Sequence, residues 1–226
     1  MIELQNVTKV YTGRQRQSEV LHQVDLKIQT GEFVAVMGPS GSGKTTLLNI
    51  IGGVDRLTDG KYFFQGIPVH EMGIAKLNTF RKKHVGFIFQ EYHLLDDCTI
   101  YENVELPLRV RNVGRKERKQ KVMEFLGVLH IEEYAKKLPG ELSGGEQQRC
   151  AIARAMITGN ELLLADEPTG ALDSSNGTEV MEILSKLNKE QKRTIVMVTH
   201  NQRDAAYADR ILYIKDGRIF ENGKSL

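Results

Sequence analysis

A chain of 226 residues, 40% hydrophobic and 27% charged, can bury a full core, which excludes a disordered or fibrous protein. Its 31 Lys and Arg against 29 Asp and Glu leave a formal charge of +2, so no global field marks a nucleic-acid binder. Two distant cysteines, Cys98 and Cys150, exclude a disulfide framework; with no 18-residue apolar run and no signal-peptide profile, a cytoplasmic chain is expected.

Residues 2–7 and 24–28 alternate apolar with polar, which predicts antiparallel strands with one wet face, joined through a polar loop around residues 13–17. Tyr11 ends the first strand region. An aromatic there stacks on a base or packs as an ordinary strand-end tyrosine, and the residue alone leaves both open.

The apolar run 33–37 leads into Gly38, Pro39, Ser40, Gly41, Ser42, Gly43, Lys44, Thr45 and Thr46, and the apolar stretch 47–51 follows. Strand, glycine-rich loop and helix in that order, with G-x-x-x-x-G-K-[ST] complete, predict a phosphate-binding loop. Its glycines let backbone N–H groups approach an anion, and the helix start adds roughly half a positive charge. Lys44 supplies a full charge, and the Thr45 hydroxyl suits Mg²⁺. A nucleoside-triphosphate site follows.

Gly52 and Gly53 stop that helix, and residues 61–64 are strand-like. Residues 84–89 are apolar on both faces, which predicts a central strand ending at Gln90. Carboxyl ends of strands are where open α/β sheets place ligand contacts, although an ordinary strand-end amide reads the same. From about residue 91 to 160 the strand signals stop, which predicts a helical insertion. Val122, Phe125, Leu126 and Leu129 give an amphipathic helix over 115–130, whose basic first half reads as a solvated face ahead of a lipid or partner surface. The insertion ends in Leu142, Ser143, Gly144, Gly145, Glu146, Gln147, Gln148 and Arg149, ahead of a helical run to Met156. Ser143 with Glu146 fits a capping box, and the glycine N–H groups make a candidate second anion site.

Residues 161–166 predict a buried strand ending in Asp166 and Glu167, one carboxylate to hold Mg²⁺ through its water shell and the other to face an attacking water. An amphipathic helix over 178–187 and a buried strand over 194–199 follow. That strand ends at His200, a structural histidine or a donor to a terminal phosphate. Residues 211–214 and 218–220 flank a hairpin turn, with no regulatory domain expected beyond it.

Together these motifs resemble the nucleotide-binding subunit of ATP-binding-cassette (ABC) transporters over essentially the whole chain. Residues 142–147 resemble the ABC signature, Gln90 the Q-loop glutamine, Ala171-Leu172-Asp173 the D-loop, His200 the switch histidine and Tyr11 the adenine-stacking aromatic. Residues 37–44, 103–108 and 165–173 are similar to the lipoprotein-releasing and macrolide-exporter branch, which also holds antimicrobial-peptide resistance systems. Leu57, Glu161 and Asn201 depart from common family choices without removing a catalytic role.

The resemblance implies an α/β fold: a P-loop NTPase core with a mostly parallel sheet, an N-terminal antiparallel β subdomain and an inserted α-helical subdomain. Residues 1–226 form one domain, with 1–90 and 161–226 as the core and about 91–160 as the helical part. ATP and Mg²⁺ are the implied ligands, with Lys44 on the phosphates, Thr45, Gln90 and Asp166 on the metal, Glu167 on the water and His200 on the γ-phosphate. Two glycine-rich helix starts are both used if two chains pair head to tail, Ser143, Gly144, Gly145 and Gln147 completing the partner's site beside Asp173. A membrane-spanning permease is the other implied partner, holding the chain on the inner face of the cell membrane; no nucleic acid is expected. A soluble ABC ATPase acting on ribosomes or DNA is a rival, as is a cell-division ATPase without transport. A P-loop kinase would leave Ser143, Gly144 and Gly145 without a purpose.

Overall fold

The chain begins β1 (Ile2–Thr12), β2 (Gln17–Ile28), β3 (Phe33–Met37), α1 (Lys44–Ile51), β4 (Asp59–Phe64), β5 (Ile67–Pro68), α2 (Ile74–His84) and β6 (Val85–Phe89). Three helices follow: α3 (Ile100–Val110), α4 (Arg115–Val128) and α5 (Gly144–Met156). It closes with β7 (Leu162–Asp166), α6 (Ser174–Gln191), β8 (Thr194–Val198), α7 (Gln202–Ala205), β9 (Arg210–Lys215), β10 (Arg218–Glu221) and β11 (Lys224–Ser225). This computed structural model describes residues 1–13, 17–221 and 224–225, the last two by backbone alone; the middle of the expected 13–17 loop lies outside the described residues.

Strands β2, β1, β4 and β5 form an antiparallel sheet in that order. The other sheet runs β11-β10-β9-β3-β8-β7-β6, with β9, β3, β8, β7 and β6 parallel and the β9–β10 hairpin turning back on the edge. Within β3 the pleat splits the side chains between two cores. Ala35 and Met37 join Ile88, Leu163 and Met197 beneath the helices α3 to α6, while Val34 and Val36 face α1, α2 and the antiparallel sheet. Both faces of the parallel sheet are thus covered, which is why its strands read as unbroken apolar runs.

β6, expected at the centre of the sheet, is instead one of its two outer strands. Its Ile88 packs in the core shared with α5 and its Val85 in the core shared with Phe80 of α2. Helices on both faces bury both rows of side chains whatever the strand's lateral place, so apolar faces alone do not distinguish edge from centre. The first strands also run longer than the residues predicted, and α3, with Pro107 inside it, and α2 went unread.

Candidate active site

Parallel strands carry their carboxyl ends to one edge, so the loops after β3, β8, β7 and β6 come together there. The loop after β3 is the predicted phosphate loop. Gly43, which precedes α1, has φ +106, and a Cβ on it would stand 2.9 Å from both the Leu21 side chain and the Val20 carbonyl. β2 presses against the loop at this point, and only glycine fits. No side chain caps α1, which leaves its first N–H groups for an anion. The Lys44 ammonium, buried, donates to the Gly38 and Pro39 carbonyls at 2.8 Å each. The Ser42 hydroxyl is buried without a partner, a polar atom that a phosphate oxygen would satisfy.

A cleft of about 640 Å³ opens over this loop, bounded also by Val20, Glu167 and His200. That volume suits a nucleotide-sized ligand. Asp166 ends β7 with its carboxyl beside the Thr45 hydroxyl. Burial raises its carboxyl above the ordinary value; the Thr45 bond opposes the shift, Glu167 adds to it and Lys44 opposes it. Glu167 adopts φ +47, a left-handed backbone that costs a non-glycine residue about 1 kcal/mol. Its N–H donates to the Val198 carbonyl at 2.9 Å, and its Oε2 lies 3.0 Å from Nδ1 of the exposed His200 ring.

The segment after Glu167 is held from three sides. Gln148 of α5, fully buried, donates to the Pro168 carbonyl at 2.5 Å and to the Phe89 carbonyl at 3.3 Å. The Thr169 hydroxyl donates to the buried carboxylate of Asp204 in α7. Gly170 packs against the Gln90 side chain. Gln90 is not among the residues that line the phosphate cleft. Tyr11 does not line the cleft; its hydroxyl donates to Asp55 Oδ2 at 2.6 Å.

The second glycine-rich helix start is built as the capping box predicts. The Ser143 N–H donates to Glu146 Oε2 at 2.7 Å, and the Glu146 N–H returns to Ser143 Oγ at 3.4 Å. Gln147 donates to the Leu142 carbonyl at 3.0 Å. A Cβ on Gly145 would stand 2.1 Å from Asn176 Oδ1, so the start of α5 packs closely on the start of α6. There Asp173 accepts the Ser175 and Asn176 N–H groups at 3.0 Å each. None of Ser143, Gly144, Gly145, Gln147 and Asp173 lines the cleft. The fold gathers Lys44, Thr45, Thr46, Asp166, Glu167 and His200 and leaves the signature turn apart.

Gln148 and Asp204 escaped the sequence reading. Gln148 had a signal: it falls on the stripe Gly145, Gln148, Ile152, Ala155, which is the buried face of α5. For the metal, the donor set at the site is a hydroxyl beside a carboxylate, Thr45 with Asp166. That fits Mg²⁺, which takes one or two protein oxygens and leaves its other positions to phosphates and water.

The family model described as "ABC transporter" matches residues 21–170. The bacitracin export ATP-binding protein BceA of Halalkalibacterium halodurans is 44% identical over 97% of this chain and 87% of its own length. The macrolide export ATP-binding/permease protein MacB of Photorhabdus laumondii is 46% identical over 98% of this chain, which spans 34% of that longer protein. Among solved structures, the dimeric post-hydrolysis state of the ATP-binding cassette MJ0796 bound to ADP and Pi superposes with a TM-score of 0.90, at 42% identity over 98% of each chain. The fold and its phosphate cleft define a P-loop nucleotide-binding cassette. The chain belongs to the ABC transporter family, as its ATP-hydrolysing subunit. Among the described residues no helix is long and apolar enough to cross a membrane.

Proposed function

We propose that two copies of this chain pair head to tail around ATP on a separate membrane-spanning permease, and that their closing and opening powers export of a peptide, drug-like or lipid-like substrate. The observation that carries this reading is that Ser143, Gly144 and Gly145, at the capped start of α5, do not line the phosphate cleft of their own chain. A helix start with free N–H groups that serves no site of its own chain is suited to complete one on a second copy. The dimeric MJ0796 cassette supports pairing, and the names of BceA and MacB support export. The chain would then work at the inner face of the membrane, held there by the permease.

In the closed pair, Lys44 exchanges the Gly38 and Pro39 carbonyls for the outer phosphates, which also receive the first N–H groups of α1. Thr45 and Asp166 would hold Mg²⁺, joined by Gln90 if its side chain leaves Gly170 as the pair closes; the chemistry the ion would supply is neutralisation of β- and γ-phosphate charge. Glu167 accepts a proton from the attacking water as its oxygen bonds to the γ-phosphorus and ADP leaves. His200 turns from Glu167 to hydrogen-bond the γ-phosphate, while Ser143, Gly144, Gly145 and Gln147 of the second copy reach the same phosphate and Asp173 lies at the seam. Tyr11 stacks on the adenine. ATP favours the closed pair because only that state makes both sets of contacts, and hydrolysis removes the advantage.

The test is to tag the Glu167→Gln form, purify it with ATP from solubilised native membranes and identify what accompanies it. Recovery of a polytopic membrane protein supports the export reading. Recovery of ribosomes, DNA or no membrane protein contradicts it.

A further inference from the structure

Lys9 is an interior lysine, 8% exposed, two residues before Tyr11 on β1 and so on the same face of the strand. Its ammonium donates to Asp55 Oδ1 at 2.7 Å and to the Arg56 carbonyl at 2.8 Å, and stands 4.5 Å from the centre of the Tyr11 ring. The Tyr11 hydroxyl donates to the other oxygen of the same carboxylate, Asp55 Oδ2, at 2.6 Å. One carboxylate therefore holds the ring at its tip and holds the cation over one of its faces. Tyr11 nonetheless remains 41% exposed.

Asp55 is itself fixed to the helix that opens with Lys44, Thr45 and Thr46. The N–H groups of Val54 and Asp55 both donate to the Asn49 carbonyl, at 2.9 and 3.2 Å. A few residues on, the Val10 N–H donates to the Thr58 hydroxyl at 2.9 Å, and the Thr58 N–H donates to the Thr8 carbonyl at 2.8 Å. The 54–58 segment is thus laced to α1 at one end and to the Tyr11 strand at the other. Packing alone does not call for this. An apolar side chain at position 9 would fill the same space without the desolvation of a buried ammonium.

We infer that Lys9 and Asp55 are positioning residues that hold the Tyr11 ring as a ready platform for the adenine of ATP. The inference rests on the reading of Tyr11 as the stacking aromatic. A ring already immobilised gives up less conformational freedom when a base arrives, which strengthens binding without a new contact. A cation on one face also draws the ring's π density toward itself, favouring an electron-rich purine on the other. The clamp acts on the base alone, because phosphate binding is handled by α1 and Lys44.

The experiment compares equilibrium binding of ATP with that of inorganic tripolyphosphate, which has no base, in the full chain and in Asp55→Ala, Tyr11→Ala, Tyr11→Phe and the Tyr11→Ala/Asp55→Ala double variant. Asp55→Ala and Tyr11→Ala are each expected to weaken ATP by about three- to tenfold, the worth of an aromatic stack, and to leave tripolyphosphate unchanged. The double variant binds ATP no more weakly than Tyr11→Ala, since both act through one ring. If Tyr11→Ala weakens ATP and Asp55→Ala does not, the clamp is overturned while the stacking reading stands. If Tyr11→Ala leaves ATP unchanged, the stacking reading fails and takes the clamp with it. If Asp55→Ala weakens both ligands equally, the pair is scaffold only and the inference is overturned. Should Asp55→Ala not fold, Tyr11→Phe carries the test: it keeps the ring and loses only the tether, and ATP affinity equal to that of the parent chain overturns the proposal.

Discussion

The His200 ring nitrogen Nδ1 lies 3.0 Å from Oε2 of Glu167, joining the loop after β8 to the end of β7 across the mouth of the phosphate cleft. The two groups occupy each other's hydrogen-bonding capacity. The proposed closed pair needs each of them elsewhere, Glu167 on the attacking water and His200 on the γ-phosphate, so this contact is expected to break when ATP enters.

Glu167→Gln keeps the size and the hydrogen-bonding reach of the side chain but removes its basicity. ATP binding should be retained while hydrolysis falls by at least about a hundredfold, the usual worth of a positioned general base. A phosphate-release assay checks this, and a variant that hydrolyses ATP at the parent rate removes Glu167 from the role.

Asp166 carries a cost that ATP and metal are expected to relieve. Burial raises its carboxyl pKa in the folded chain, so the folded state holds that proton more tightly than the unfolded one. Stability from this source is full below the unfolded value of about 4 and is lost as pH rises through the raised value, leaving a penalty at pH 7. Asp166→Asn should therefore raise the Tm measured at pH 7 without added nucleotide, by about 1–3 °C, with the gain shrinking as pH falls toward 4. The same variant should hydrolyse ATP poorly. A lowered Tm at pH 7 contradicts the sign.

Gln148 ties α5 to the ends of β6 and β7 from a fully buried position. Gln148→Ala removes the donor of the Pro168 carbonyl and leaves the Phe89 carbonyl to the Tyr92 N–H at 3.3 Å, at a cost of about 1–3 kcal/mol. Denaturant unfolding checks that loss, and steady-state kinetics should show slower turnover with little change in ATP affinity, because the phosphate loop is untouched. Parent stability in Gln148→Ala contradicts the structure.

The two thiols differ sharply. Burial pushes the Cys150 thiol up to about 12, against the pull of nearby Arg154, while Cys98 is only half-buried. Titration with a thiol reagent at pH 8 should label one cysteine in the folded chain and both in denaturant. Rapid labelling of both in the folded chain contradicts the packing of α5.

The phosphate loop, the Asp166 and Glu167 pair and the Ser143 cap were legible in the sequence because each is written in consecutive residues whose local chemistry is self-contained. The order of the strands was not. β6 reads as central because α2 and α5 bury both its faces, and nothing in five residues records which strand lies beside it. The ties that organise the site were also hidden. Gln148 with Pro168, Asp204 with Thr169, and Lys9 with Asp55 pair residues 20, 35 and 46 positions apart, and a polar residue far along the chain does not announce its partner. Pro107 masked α3, since a proline inside a helix reads as a stop.

In the proposed pair the Ser143–Gly145 turn of one copy completes the phosphate cleft of another. The most direct measurement is the solution mass of the Glu167→Gln chain by light scattering, with and without Mg²⁺ and ATP. A shift from 25.5 kDa to twice that value on adding ATP, abolished when Ser143→Arg is introduced, is the predicted result. A mass that stays at 25.5 kDa at saturating ATP, or a dimer indifferent to Ser143→Arg, contradicts head-to-tail pairing through this turn.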